Sequence, residues 1–153
     1  MPGISVNNKK PIMLITEGQT DASIIRSLID AHGRKVYMVV SGGYQNIASM
    51  VRTQYLIHGD TFYYVAVFDA DASDNSIRIE KLDMVRFLSK AELHSEIIGV
   101  FCFRNTIERK LGLQEGNKAH KESLISALME RSEQMKQSKT IMEIQQFINK
   151  LKA

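Results

Sequence analysis

Asp69 and Asp71 stand two residues apart, directly after the apolar run FYYVAVF at positions 62–68. In an extended segment that spacing turns both side chains to one side, and like charges so close repel unless a cation or a proton sits between them. A divalent-cation site and an ordinary acidic loop both answer to the pattern. Glu17 follows a second apolar run, PIMLIT at 11–16, and Asp21 comes four residues later, where the sequence turns helical. Both carboxylates can then face one opening, although a carboxylate in a first helical turn is also favoured by the helix dipole, by about 0.3–1 kcal/mol. A further apolar run, EIIGVFCF at 96–103, ends in Arg104-Asn105-Thr106-Ile107-Glu108.

Competing chemistries fit the chain poorly. Asp69, Asp71, Ser73 and Glu80 occupy positions 1, 3, 5 and 12 of a calcium-binding helix-loop-helix. That loop needs glycine at its sixth position, where Asp74 stands, and a helix in front of it, where a strand-like run stands. No G-x-x-x-x-G-K-[ST] or strand-following G-x-G-x-x-G occurs, which argues against ATP hydrolysis by this chain alone. His32, His58, His94 and His120 stand singly and read as surface or helix-end residues. The single cysteine, Cys102, lies within an apolar run and reads as a buried, inert thiol. Gly42-Gly43 suits either a phosphate near the backbone or a tight turn.

The elements that must position these residues follow from periodicity. Strands are predicted at 11–16, 36–40, 62–68 and 96–103. Between them lie a helix running to the stop signal His32-Gly33, a helix from Tyr44 to His58 ended by Gly59, and a helix from about Ser76 to Lys90. In that third helix Ile79, Leu82, Val85, Phe87 and Leu88 are expected to face inward. Helices at 106–113, 118–137 and 140–152 close the chain, the last with Ile141, Ile144, Phe147, Ile148 and Leu151 as its apolar face. Strand alternating with helix implies an α/β fold, a four-stranded, mostly parallel sheet with helices on both faces and extra C-terminal helices. Ligands of such sheets bind beyond the carboxyl ends of the strands, where Glu17, Ser41-Gly42-Gly43, Asp69 and Glu108 fall.

The chain has 153 residues, 44% hydrophobic and 24% charged, which suits one globular domain over 1–153, with a core at about 11–113 and C-terminal helices at about 118–152. No apolar run approaches the roughly 18 residues of a membrane helix, and MPGISVNNKK lacks the apolar centre of a signal peptide. A cytoplasmic protein is expected. The net charge of +3 is uneven: residues 1–103 carry 10 basic and 11 acidic side chains, and 104–153 carry 10 and 6. A basic end of this kind fits a polyanion such as nucleic acid, or a solvated helix face with spare lysines.

Together, the Glu-Gly after the first strand, the Asp four residues after the Glu, the Gly pair after the second strand and the Asp-x-Asp after the third resemble a TOPRIM domain. The matching pieces are IMLITEGQTDASII, VVSGGYQNIASMV and YVAVFDADASD, over roughly residues 11–75. Thr106-Ile107-Glu108 is similar to the Ser-x-Glu element of OLD-family nucleases, with a hydroxyl retained. This resemblance implies a single Rossmann-like TOPRIM domain and a nuclease that hydrolyses DNA or RNA with two Mg2+ or Mn2+ ions. It implies Glu17, Asp69, Asp71 and Glu108 as catalytic residues, and Glu17, Asp21, Asp69, Asp71, Thr106 and Glu108 as metal ligands. Lys118 and Lys121 are the candidates for the basic residue that contacts nucleic acid. The ATPase portion usual in OLD proteins is missing from the sequence, so a separate ATPase subunit is an expected partner, and self-association into a homo-oligomer stays open. Phage defence is the process the resemblance suggests. An RNA-processing maturase of the small TOPRIM type, and a non-catalytic nucleic-acid-binding or assembly module of the RecR type, are the alternatives.

Overall fold

The computed structural model describes residues 9–69, 75–103 and 139–152. Four strands, β1 (Ile12–Thr16), β2 (Val36–Val40), β3 (Tyr63–Asp69) and β4 (Ile98–Phe103), form one sheet in the order β2-β1-β3-β4. Every pairing is parallel, with Ile12 beside Val36 and Tyr63, and Tyr64 beside Ile98. The described α-helices are α1 (Gln19–Leu28), α2 (Ile47–His58), α3 (Asn75–Ser89) and α4 (Lys139–Asn149).

Side-chain alternation divides the core into two layers. Ile12, Leu14, Val65 and Val67 pack under α1 and α4, with Ile24, Ile25, Ile141, Ile144 and Ile148. Met13, Ile15, Tyr64, Ala66 and Phe68 pack on the other face under α2 and α3, with Ile47, Val51 and Val85. The central strands β1 and β3 are therefore apolar on both faces, which accounts for their unbroken hydrophobic runs. The chain moves from β1 to β2 in one direction under α1. It moves from β2 to β3 and on to β4 in the opposite direction under α2 and α3, on the opposite face. The three crossovers thus share one hand, as the right-handed rule for parallel units requires.

The architecture matches the expectation of an α/β domain with helices on both faces, and the sheet is wholly parallel. Several local boundaries differ. α1 ends at Leu28 because Ile29 is already extended (φ −101°, ψ 151°), and the left-handed pair His32 (φ 53°) and Gly33 (φ 82°) lies in the turn beyond. Tyr44–Asn46 form a 3-10 turn, and the α-helix begins at Ile47. The largest correction concerns α3. Of the five side chains expected inside, only Val85 is buried; Leu82 is half-buried, and Ile79, Leu88 and Phe87 are exposed, Phe87 by 73%. The face turned to the sheet also carries Arg78 and Arg86, whose guanidiniums donate to β4 carbonyls. That contact fixes the rotation of the helix at the expense of its larger apolar residues. Cys102 is buried, as expected. The predicted helices at 106–113 and 118–137 lie outside the described residues. No described helix is long and apolar enough to cross a membrane.

Candidate functional site

From the carboxyl end of β1 the chain departs to the α1 face, and from that of β3 it departs to the α3 face. The two strands are neighbours, so a crevice opens between their ends, the place where open parallel sheets bind ligands. Glu17 and Asp69 stand there. The Asp69 backbone N–H donates to Glu17 Oε1 at 2.8 Å, which draws the Glu17 carboxylate across to the end of β3. Both residues are half-buried, and the Asp69 Oδ1 atom is shielded from solvent.

The backbone beneath Glu17 is held from two sides. Thr16 is fully buried, and its hydroxyl donates to the Gly18 carbonyl at 2.7 Å, tightening the turn into α1. Beyond β2, the Ser41 N–H reaches the Thr16 carbonyl at 2.8 Å and the Gly42 N–H reaches the Glu17 carbonyl at 3.1 Å, so the ladder continues past both strands. Gly42 (φ 84°) and Gly43 (φ 154°) then turn the chain into α2. A Cβ at either would meet no atom within 4 Å, so backbone conformation rather than space requires glycine there. The Ser41 hydroxyl donates to the Gly43 carbonyl at 2.9 Å and closes the turn.

Asp21 sits in the first turn of α1, half-buried, behind the Gly18 N-cap that offers no side chain of its own. Asp71, Thr106, Glu108, Lys118 and Lys121 lie outside the described residues. Among the described residues no group of three or more His, Cys, Asp and Glu side chains could hold a metal ion; Glu17 and Asp69 are brought together as a pair. Asp69 ends a strand, the very feature that counted against a calcium helix-loop-helix. His58 closes α2 and His94 closes a 3-10 turn, while exposed His32 pairs with Asp30 at 3.5 Å.

Sequence reasoning passed over Tyr44. Its ring lies 5.5 Å from that of Phe68, the neighbour of Asp69, and Lys81 Nζ stands 5.1 Å from its centroid. An aromatic directly after the glycine pair was the available signal, but the cation above it comes from α3 and only the fold reveals it. Arg34 was also missed. It is buried, donates to the carbonyls of Lys10, Leu151 and Lys152, and lies over the Tyr63 ring, clasping the end of α4 to the amino edge of the sheet. Comparison of the chain with protein families, with curated proteins and with solved structures finds no match.

Proposed function

We propose that the chain is a divalent-metal-dependent nuclease that hydrolyses phosphodiester bonds of DNA or RNA. One observation carries the reading: the carboxylate of Glu17 is tied to the end of β3 beside Asp69, in the crevice between β1 and β3. The donors are hard carboxylate oxygens, the chemistry that suits Mg2+ or Mn2+. Glu17 and Asp69 would hold the ions, and Asp71, Asp21, Thr106 and Glu108 complete the ligand set that the TOPRIM resemblance implies. A bound ion of this kind lowers the pKa of water and offsets charge on the leaving oxygen.

The remaining groups position a polynucleotide. The Gly42-Gly43 turn, bonded through the Gly42 N–H to the Glu17 carbonyl, carries no side chains and has open space beside it, so a backbone phosphate could approach it closely. Tyr44 and Lys81 offer a ring and a cation at the neighbouring wall, a pairing that suits a base and its phosphate. Lys118 and Lys121 supply further positive charge. A separate ATPase subunit and a role in phage defence belong to the same reading.

The test is incubation of the purified chain with end-labelled single- and double-stranded DNA and RNA, in Mg2+, Mn2+ or EDTA. Metal-dependent cleavage that disappears in Asp69→Asn is expected. Binding without cleavage in either metal would instead assign the chain to the assembly modules, and cleavage confined to structured RNA would assign it to the maturases.

A further inference from the structure

The two edges of the sheet are finished differently. In a parallel ladder, alternate residues turn their N–H and C=O groups toward the neighbouring strand and away from it. At β4 the Tyr64 N–H bonds to the Ile97 carbonyl at 2.8 Å, so residues 98, 100 and 102 face outward. Arg86 donates to the outward Val100 carbonyl at 3.3 Å, and Arg78 and Thr140 donate to that of Cys102 at 3.4 and 3.3 Å. Those contacts close this edge to another strand.

At β2 the Ile12 N–H bonds to the Lys35 carbonyl, and the Ser41 N–H bonds to the Thr16 carbonyl, both at 2.8 Å. Odd-numbered residues therefore serve β1, and Val36, Met38 and Val40 turn outward. Among the described residues no strand pairs with that side. The strand VYMVV contains none of the charges or prolines that usually protect an edge. Tyr37, 49% exposed, is held edge-to-face by Phe62 at 5.6 Å, and Val40 is 38% exposed.

We propose that β2 is a homodimer interface, pairing antiparallel with β2 of a second copy about a two-fold axis at Met38. Met38 is the middle of the three outward residues, so an antiparallel register centred on it pairs the N–H and C=O groups of all three at once, and their side chains read Val-Met-Val in either direction. Val36 then meets the partner's Val40, Met38 meets the partner's Met38, and Tyr37 packs against the partner's Val39, a favourable aromatic and β-branched pair. No charge stands opposite a like charge within the strand. The interface is small, so the dimer dissociates on dilution. The two strand systems run in opposite directions, which places the two Glu17/Asp69 crevices at opposite ends of one continuous sheet, each acting alone.

Sedimentation of the full chain across the micromolar range tests this without any substrate. A concentration-dependent rise from the 17.3 kDa monomer to twice that mass is expected. Val40→Lys should weaken association at least tenfold while leaving the circular dichroism spectrum unchanged. Met38→Cys should form a covalent dimer under mild oxidation, since hydrogen-bonded antiparallel partners lie about 5.5 Å apart at Cα, within disulfide range. Val40→Cys should not, because its own counterpart stands about 14 Å away in this register. A wild-type protein that stays monomeric at every concentration, or a dimer that Met38→Cys fails to link, would overturn the proposal.

Discussion

The Asp69 amide and the Glu17 carboxylate are joined at 2.8 Å although 52 residues separate them in the chain. The bond uses a side chain where the β1–β3 ladder has ended, so a charged group replaces a peptide carbonyl as acceptor at the mouth of the crevice. It gives Glu17 a positioning partner that is part of the backbone, and mutation of Asp69 leaves that partner in place.

Substitutions at Glu17 should therefore separate folding from chemistry. Glu17→Gln keeps an oxygen acceptor for the Asp69 amide and should melt close to wild type. Glu17→Ala strands a half-buried N–H and should lose about 1 kcal/mol. Both should abolish cleavage. Thermal denaturation alongside the nuclease assay checks the pair, and an active Glu17→Gln would remove Glu17 from the proposed ligand set.

If Glu17 and Asp69 hold metal with Asp71, ion binding to the folded state should raise the melting temperature by mass action. About 2.7 kcal/mol is expected at a hundredfold excess over the dissociation constant. Asp69→Asn combined with Asp71→Asn should lose most of that shift and, relieved of like-charge repulsion, melt higher than wild type in EDTA. Calorimetry with Mg2+, Mn2+ and EDTA reads both effects. A melting point indifferent to either metal at millimolar concentration would count against the metal site.

Tyr64 predicts the alkaline limit of the fold. Burial, with smaller contributions from Tyr55 and Asp60, pushes its phenol up from 10.0 to about 12. Its hydroxyl donates to the Gly59 carbonyl at 2.7 Å, at the turn that ends α2. The folded state holds the proton more tightly than the unfolded chain, so this contribution is complete below pH 10 and falls as pH rises from 10 to about 12. Denaturant titrations across that range should show a loss of stability that is shallower in Tyr64→Phe.

Gly99 lies in β4 beneath α4. A Cβ there would stand 2.7 and 2.9 Å from ring atoms of Phe101 and 3.1 Å from Phe147, so one ring must swing. The edge-to-face contact of those rings, 5.8 Å between centroids, would be disturbed. Gly99→Ala should cost about 1–3 kcal/mol through overpacking, measured by denaturant unfolding. A neutral result would mean that α4 shifts at little cost.

The alternation of strand and helix, and with it the positions of Glu17 and Asp69 at strand ends, is legible in the order of residues. Hydrophobic period and the glycine signals are local properties, so Val36–Val40 and the end of α2 at His58 could be read directly. Local periodicity failed at α3, where two arginines bonded to β4 outcompeted Phe87 and Leu88 for the sheet. The strand order β2-β1-β3-β4 emerges only on folding. That order makes β1 and β3 neighbours, brings Glu17 to Asp69, sets Lys81 over Tyr44 and leaves β2 as an edge. Such relationships join residues far apart in the chain, and their energies come from crossover packing and ladder pairing rather than from any segment's own preferences.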